Sequence, residues 1–196
     1  MEFVPLLLVF MFSKYVSVNS GLGTNNPQVC PKIITKNEWG ARGATQVQYS
    51  TNNLQYVIIH HTATPECNNL LECSILLKNI QNYHMEVHQF HDIGYNFMIG
   101  GDGKVYEGRG WHKIGAHTRN FNSRSLGIAF VGKYIDKLPN KSQLRVTRDL
   151  IHCAVLLKEI DESYKLYGAR QVSGTLSPGL RLYQELQTWP HFSKRL

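Results

Sequence analysis

Apolar positions along the chain fall into short runs with strand character and spaced stripes with helix character. Residues 55–61 (QYVIIHH) form a continuous β-branched run, the pattern of a strand buried on both faces. Over residues 70–87 the apolar positions Leu71, Ile75, Ile80, Tyr83 and Val87 recur close to helical spacing, which predicts an amphipathic helix with those side chains inward. Residues 95–99 (YNFMI) and 104–107 (KVYE) flank Gly100-Gly101-Asp102-Gly103, a tight turn, and together predict a hairpin. Residues 126–131 (LGIAFV) read as another buried strand. Residues 142–160 predict a second helix whose apolar side is Leu144, Leu150, Ile151, Ala154, Val155 and Leu157. A last short strand is expected at 164–167. Ser177-Pro178-Gly179 then opens a final helix, with Ser177 as N-cap, Pro178 at the first helical position, and Leu180, Tyr183, Leu186 and Trp189 as its buried stripe. The sum is one α/β domain over 30–196, a single mixed central β-sheet of about five strands flanked by helices. Strand order does not follow from the pattern.

The N-terminus differs from the rest. Residues 3–12 (FVPLLLVFMF) are ten uncharged residues, the length of a signal-peptide core, and Val18-x-Ser20 supplies small residues for cleavage. Glu2 and the lack of Lys or Arg make the first residues atypical, and a buried terminal strand or helix is the alternative. The reading is a signal peptide at 1–20, a polar arm at 21–29, and a secreted, extracellular protein. The run is too short for a membrane span. At 42% hydrophobic and 18% charged residues the chain can build a core, which argues against wholesale disorder. The net charge of +7, unchanged by removal of Glu2 and Lys14, favours an anionic partner: nucleic acid, an acidic membrane surface or a wall polymer. Basic residues are dispersed with no run of five, so nucleic acid is not expected.

Four cysteines behind a leader suggest two disulfides in an oxidising compartment. Cys67 and Cys73 lie close together beside Pro65 and Asn68-Asn69, so a small clipped loop, Cys67-Cys73, is the natural pairing, leaving Cys30-Cys153 to tie the N-terminal segment to the body. A zinc site is the alternative, but the spacings are unlike paired CxxC knuckles. Asn140-Lys141-Ser142 is a glycosylation sequon.

Nine histidines carry the candidate chemistry. His60 and His61 close the first strand, where groups project from rigid backbone. His84, His88 and His91 cluster at the end of the first long helix, and His117 follows Gly115-Ala116 in a loop after Gly108-Arg109-Gly110-Trp111. At these residues the sequence resembles the peptidoglycan recognition proteins. The resemblance is carried by YVIIHHTAT (56–64), NYHM (82–85), DIGYNFMIGGDGKVYEGRGW (92–111), GAHT (115–118), SLGIAFVGKY (125–134) and TLSPG (175–179), and it runs from about Cys30 to Pro190. It implies the fold of phage-lysozyme-type N-acetylmuramoyl-L-alanine amidases, bacterial peptidoglycan as ligand, and downstream immune signalling proteins as partners.

In that family, amidases hold zinc with two histidines and a cysteine, beside a tyrosine and a threonine or lysine. The resemblance places His60 at the first ligand, Tyr95 at the tyrosine and Thr175 at the threonine. The second histidine falls in a G-H-R pattern that reads Gly168-Ala169-Arg170 here, and the cysteine in C-P-G, which reads Ser177-Pro178-Gly179. A catalytic zinc needs about three protein ligands plus water. Ala169 has no donor and a hydroxyl is a poor ligand beside a thiolate. The expectation is therefore no metal, no zinc cofactor and no catalytic residue: a binding protein with His60, Tyr95 and Thr175 as vestiges. Ser177 acting as a metal-free peptidase nucleophile, or zinc held in some unrecognised way, are the alternatives. His61, His84, Tyr95 and His117 match family positions that contact the stem peptide or sugar, and Trp111 is expected near the groove. The pair that helps sort lysine-type from diaminopimelate-type stems aligns with Gln89-Phe90, neither the Asn-Phe nor the Gly-Trp of the family, and His88 stands where Arg can occur. Phe90 leans to the lysine type. Arg124 could pair with the extra carboxylate of diaminopimelate. The stem type stays open.

Overall fold

The elements run β1 (Ile33–Ile34), α1 (Lys36–Trp39), β2 (Leu54–His61), α2 (Leu70–Glu86), β3 (Phe97–Ile99), β4 (Val105–Glu107), β5 (Ser125–Phe130), α3 (Lys141–Leu156), β6 (Ile160–Gly168), a 3₁₀ turn (Ala169–Gln171) and α4 (Leu180–Leu186). They belong to a computed structural model that describes residues 30–51 and 53–195. The expected leader at 1–20 and arm at 21–29 lie outside the described residues.

Six strands form one mixed sheet in the order β1-β4-β3-β5-β2-β6. β2 lies parallel between β5 and β6, which is why its sequence is apolar without alternation. β3 and β4 form the expected antiparallel hairpin, closed at Gly103, whose φ of 75° suits glycine. Strand alternation divides the core in two. Val57, Ile59, Phe97, Ile99, Leu126 and Ile128 join Leu150, Ile151 and Ala154 of α3 and Leu182 and Leu186 of α4. On the other face Met98, Tyr106 and Ala129 meet Trp39 of α1 and Leu77 and Ile80 of α2.

Several boundaries and faces differ from the sequence pattern. β1 and α1 add a strand and a short helix, the latter held by a capping box in which Thr35 and Glu38 bond each other's backbone. α3 ends at Leu156 rather than 160, Leu157 is half exposed, and β6 begins at Ile160 rather than 164. α2 is rotated from its predicted phase: Leu71, Ile75, Tyr83 and Val87 are exposed, and the inward face carries Cys73, Ser74, Leu77, Ile80, Gln81 and Met85. Gln81 can be buried because its amide is saturated, accepting from Arg42 N and donating to Arg42 O and Asp92 Oδ1. In α4 Leu180 is exposed and Leu182 takes the buried place.

The start of α4 is a further correction. Its N-cap is Gly179, with no side-chain cap, and the preceding Ser177–Pro178 peptide is cis. Ser177 is therefore not a helix cap. Its Oγ accepts the His61 backbone N–H at 3.0 Å, tying the segment before α4 to the end of β2. Both disulfides pair as the spacing suggests, Cys67–Cys73 in the loop and first turn of α2 and Cys30–Cys153 onto α3. Asn140 caps α3 through Gln143 N, and its Nδ2 donates to Gly101 O at 2.7 Å. Among the described residues no helix is long and apolar enough to cross a membrane.

Candidate functional site

The C-terminal end of β2 supplies the centre of the site. Alternation turns His60 to the sheet face opposite the α3 core, where Gly127 of β5 leaves room for a ring. A Cβ on Gly127 or Gly115 would run into the His117 imidazole, so the two glycines seat that ring against the sheet. Thr118 Oγ1 lies 3.1 Å from His60 Nε2 and 3.0 Å from His117 Nδ1, and its single proton can serve only one ring, so at least one of the two donates to it. The loop is fixed by Asn122, whose Oδ1 accepts from His117 N and Thr118 N. His117 Nε2 is sealed from solvent without a protein partner.

From there a row of rings crosses to the end of α2. His60 stands 5.3 Å from both His117 and Tyr95, Tyr95 lies 5.6 Å from His84, and His84 lies 5.7 Å from Phe90. His88 stacks on Phe90 at 5.4 Å. Three of these rings, His60, His84 and His117, are imidazoles held neutral. Burial drives His60 well below its ordinary value, helped by His117 and His61. Burial takes His84 down to about 4, with His88 and Arg109 adding to it and Asp92 opposing. Burial, then Arg109, takes His117 to about 3, and burial raises Tyr95 to about 12. His84 Nδ1 accepts Gly94 N–H at 2.9 Å, which leaves the ring proton on Nε2.

Beside the row lies a cleft of about 550 Å³, lined by Gln89, Phe90, Arg109, Gly115, Ala116 and Asn122 among others. Gln89 adopts φ 57° and its Nε2 donates to Glu86 O, so the turn after α2 presents Phe90 to the cleft. Neutral donors and acceptors with flat apolar faces suit a ligand of sugar and peptide. Arg109 was not singled out by the sequence reading. It is 8% exposed, donates to Ile93 O and Ile114 O at 2.8 Å, and brings a cation to the cleft. Its only sequence signal was the Gly-Arg-Gly spacing at 108–110.

Other expected residues fall elsewhere. His61 is not in the row: its Nδ1 accepts Tyr134 N–H at 3.2 Å, and burial, then Lys133, lowers it to about 4. Arg124 does not line the cleft; its guanidinium covers Phe121 at 4.6 Å and Tyr56 at 5.3 Å. Trp111 packs on Phe97 at 4.3 Å, against the main core. Thr175 is exposed, and its Oγ1 accepts Ser177 N–H at 3.2 Å. The register Ile59↔Gly168 sets Ala169 beside His60, and Ser177 reaches the same strand end through His61 N. His60 and two positions more than 100 residues further along the chain, Ala169 and Ser177, thus meet at one strand end, offering an imidazole, a methyl and a hydroxyl.

The fold agrees with comparisons to known proteins. Residues 50–180 match the N-acetylmuramoyl-L-alanine amidase family model. Peptidoglycan-recognition protein 2 of Holotrichia diomphalia is 55% identical over 165 residues, 84% of this chain and 88% of that protein. Peptidoglycan-recognition protein SA of Drosophila melanogaster is 44% identical over 185 residues, 94% and 91% of the two chains. Its structural counterpart, Drosophila PGRP-SA, superposes with a TM-score of 0.84 at 46% identity, over 85% of this chain and 96% of that one. Tracheal cytotoxin bound to the ectodomain complex of PGRP-LCa and PGRP-LCx gives a TM-score of 0.81 at 42% identity, covering 82% and 98%. The chain belongs to the N-acetylmuramoyl-L-alanine amidase family and, within it, to the peptidoglycan-recognition proteins.

Proposed function

We propose that this chain is a secreted receptor that grips bacterial peptidoglycan fragments without cutting them and passes the signal to protein partners. The observation that carries it is the donor set at the end of β2. Zinc of the amidase kind needs about three protein donors and a water. Ala169, fully buried beside His60, has no donor atom, and the Ser177 hydroxyl already accepts the His61 N–H. The residues present do not fit that ion. The metal-free alternative also lacks support, because no imidazole bonds Ser177 Oγ among the described residues.

What remains is recognition. The ring row offers stacking faces and neutral hydrogen-bonding atoms. Arg109 offers a charge to a carboxylate of the stem peptide, the role the sequence gave to Arg124. An additional stem carboxylate, as in diaminopimelate, fits this cation better than a lysine side chain, which ends in an ammonium alone. Two disulfides and the apolar leader are consistent with export. Isothermal titration with muramyl peptides tests the reading. Saturable binding that EDTA leaves intact, with no new products by mass spectrometry, is expected. Released stem peptides that vanish with EDTA refute it.

A further inference from the structure

Arg109 stands between two spaces. It lines the ligand cleft, and it shares with Asp92 the wall of a cavity of about 10 Å³, room for about one water. Its two hydrogen-bond acceptors are neutral backbone carbonyls. Among the described residues no carboxylate forms an ion pair with it. A buried guanidinium in that position can meet a carboxylate of the ligand or the carboxylate of Asp92. The second would neutralise the charge the cleft presents.

Asp92 is withheld from it by other donors. Its Oδ2 pairs with Lys36 Nζ, and its Oδ1 accepts from Gln81 Nε2 and Ile93 N, each at 2.7 Å. The pair is well covered, with the Lys36 side chain 19% and the Asp92 side chain 6% exposed. Lys36 is placed by α1, where its backbone N–H also meets Glu107 Oε2 at 3.1 Å. Gln81 is clamped in turn by Arg42 N and O just beyond α1. The segment from Lys36 to Arg42, which contributes no residue to the cleft lining, thus saturates the acid that shares the small cavity with Arg109.

We propose that Lys36, acting through Asp92, is a positioning residue that keeps Arg109 available to an anionic group of the bound wall peptide. The inference rests on the recognition reading and on Arg109 as its carboxylate contact. Removing the Lys36 charge frees Asp92 to take Arg109 across the small cavity. Affinity for a ligand carboxylate then falls, while stacking along the ring row persists.

The test titrates two muramyl peptides into wild-type chain and Lys36→Met by calorimetry: one with a free carboxylate at the stem side chain, one with that group as carboxamide. Wild type should prefer the acid. Lys36→Met should lose about tenfold in affinity for the acid, about 1.4 kcal/mol, with the amide changed less than about twofold, so the preference collapses. Lys36→Arg should restore it, and so should Asp92→Asn added to Lys36→Met, because the competing carboxylate is gone. Lys36→Gln, which keeps a donor without charge, should behave as Lys36→Met and replaces it if that variant does not fold. Equal losses for both peptides, or an unchanged preference in either uncharged variant, overturn the inference while leaving recognition standing. A wild-type chain that binds neither peptide overturns recognition itself, and this inference with it.

Discussion

Lowering the pH from 7 to 5 should destabilise this fold through its sealed imidazoles, and His117 sets the scale. Burial, reinforced by Arg109, holds its ring at about 3 against an ordinary 6.5. The folded chain therefore stays unprotonated at this residue down to pH 5, while the unfolded chain takes up a proton below 6.5. The stability involved is fully present above 6.5 and is lost as the pH falls from 6.5 towards about 3. pH 5 lies 1.5 pH units below the unfolded value, which favours the protonated unfolded form by about 2 kcal/mol at 1.36 kcal/mol per unit. That is a large share of the roughly 5–15 kcal/mol that holds a domain together. His60 acts in the same direction, chiefly through burial. Urea unfolding of wild type and His117→Asn at pH 7, 6 and 5 isolates the residue. Below about pH 6 the wild-type stability should fall more steeply by about one proton, or about 1.4 kcal/mol per pH unit. Parallel slopes for the two chains would mean that His117 titrates freely in the folded state, and the account of a neutral ring row would fail.

Gly127→Ala should push the His117 ring off the sheet, since the new methyl overlaps it; muramyl-peptide affinity should fall at least about tenfold while the variant stays folded by circular dichroism, and unchanged affinity would refute the seating. Replacing Ala169 by His together with Ser177 by Cys should give one zinc per chain by elemental analysis, with wild type well below one. Zinc uptake equal to wild type in the double variant would show that the three positions do not share one centre. Removing Cys30–Cys153, which closes 123 residues, should cost up to about 5 kcal/mol in denaturant, against about 2 kcal/mol for the six-residue Cys67–Cys73 loop. The reverse order would contradict the loop-entropy argument.

Much of this molecule was written locally. β2 and β5 lack polar alternation because both their faces are covered, and that leaves a mark no surface strand carries. The hairpin of β3 and β4 follows from glycines at its turn, and the disulfide pairing from spacing. The histidines and tyrosine of the ring row were identifiable through their motifs, because the family keeps them in long ordered stretches.

Tertiary structure decided what depends on distant partners. α2 was phased wrongly because hydrophobic spacing assumes that the inward face is apolar, whereas here it includes Ser74, Gln81 and a bridged cysteine, and Gln81 is admitted by Arg42 and Asp92. Ser177 has the sequence of a helix cap, yet its hydroxyl serves the end of β2, 116 residues away. Arg109 and Arg124 are both arginines in loops, and only the packing sends one into the cleft and the other over aromatic rings. Sequence periodicity records which side chains avoid water along one element. Hydrogen bonds and ion pairs between elements leave no such period, so the charge in the cleft and the Lys36–Asp92 pair near it are visible only once the fold has brought them together.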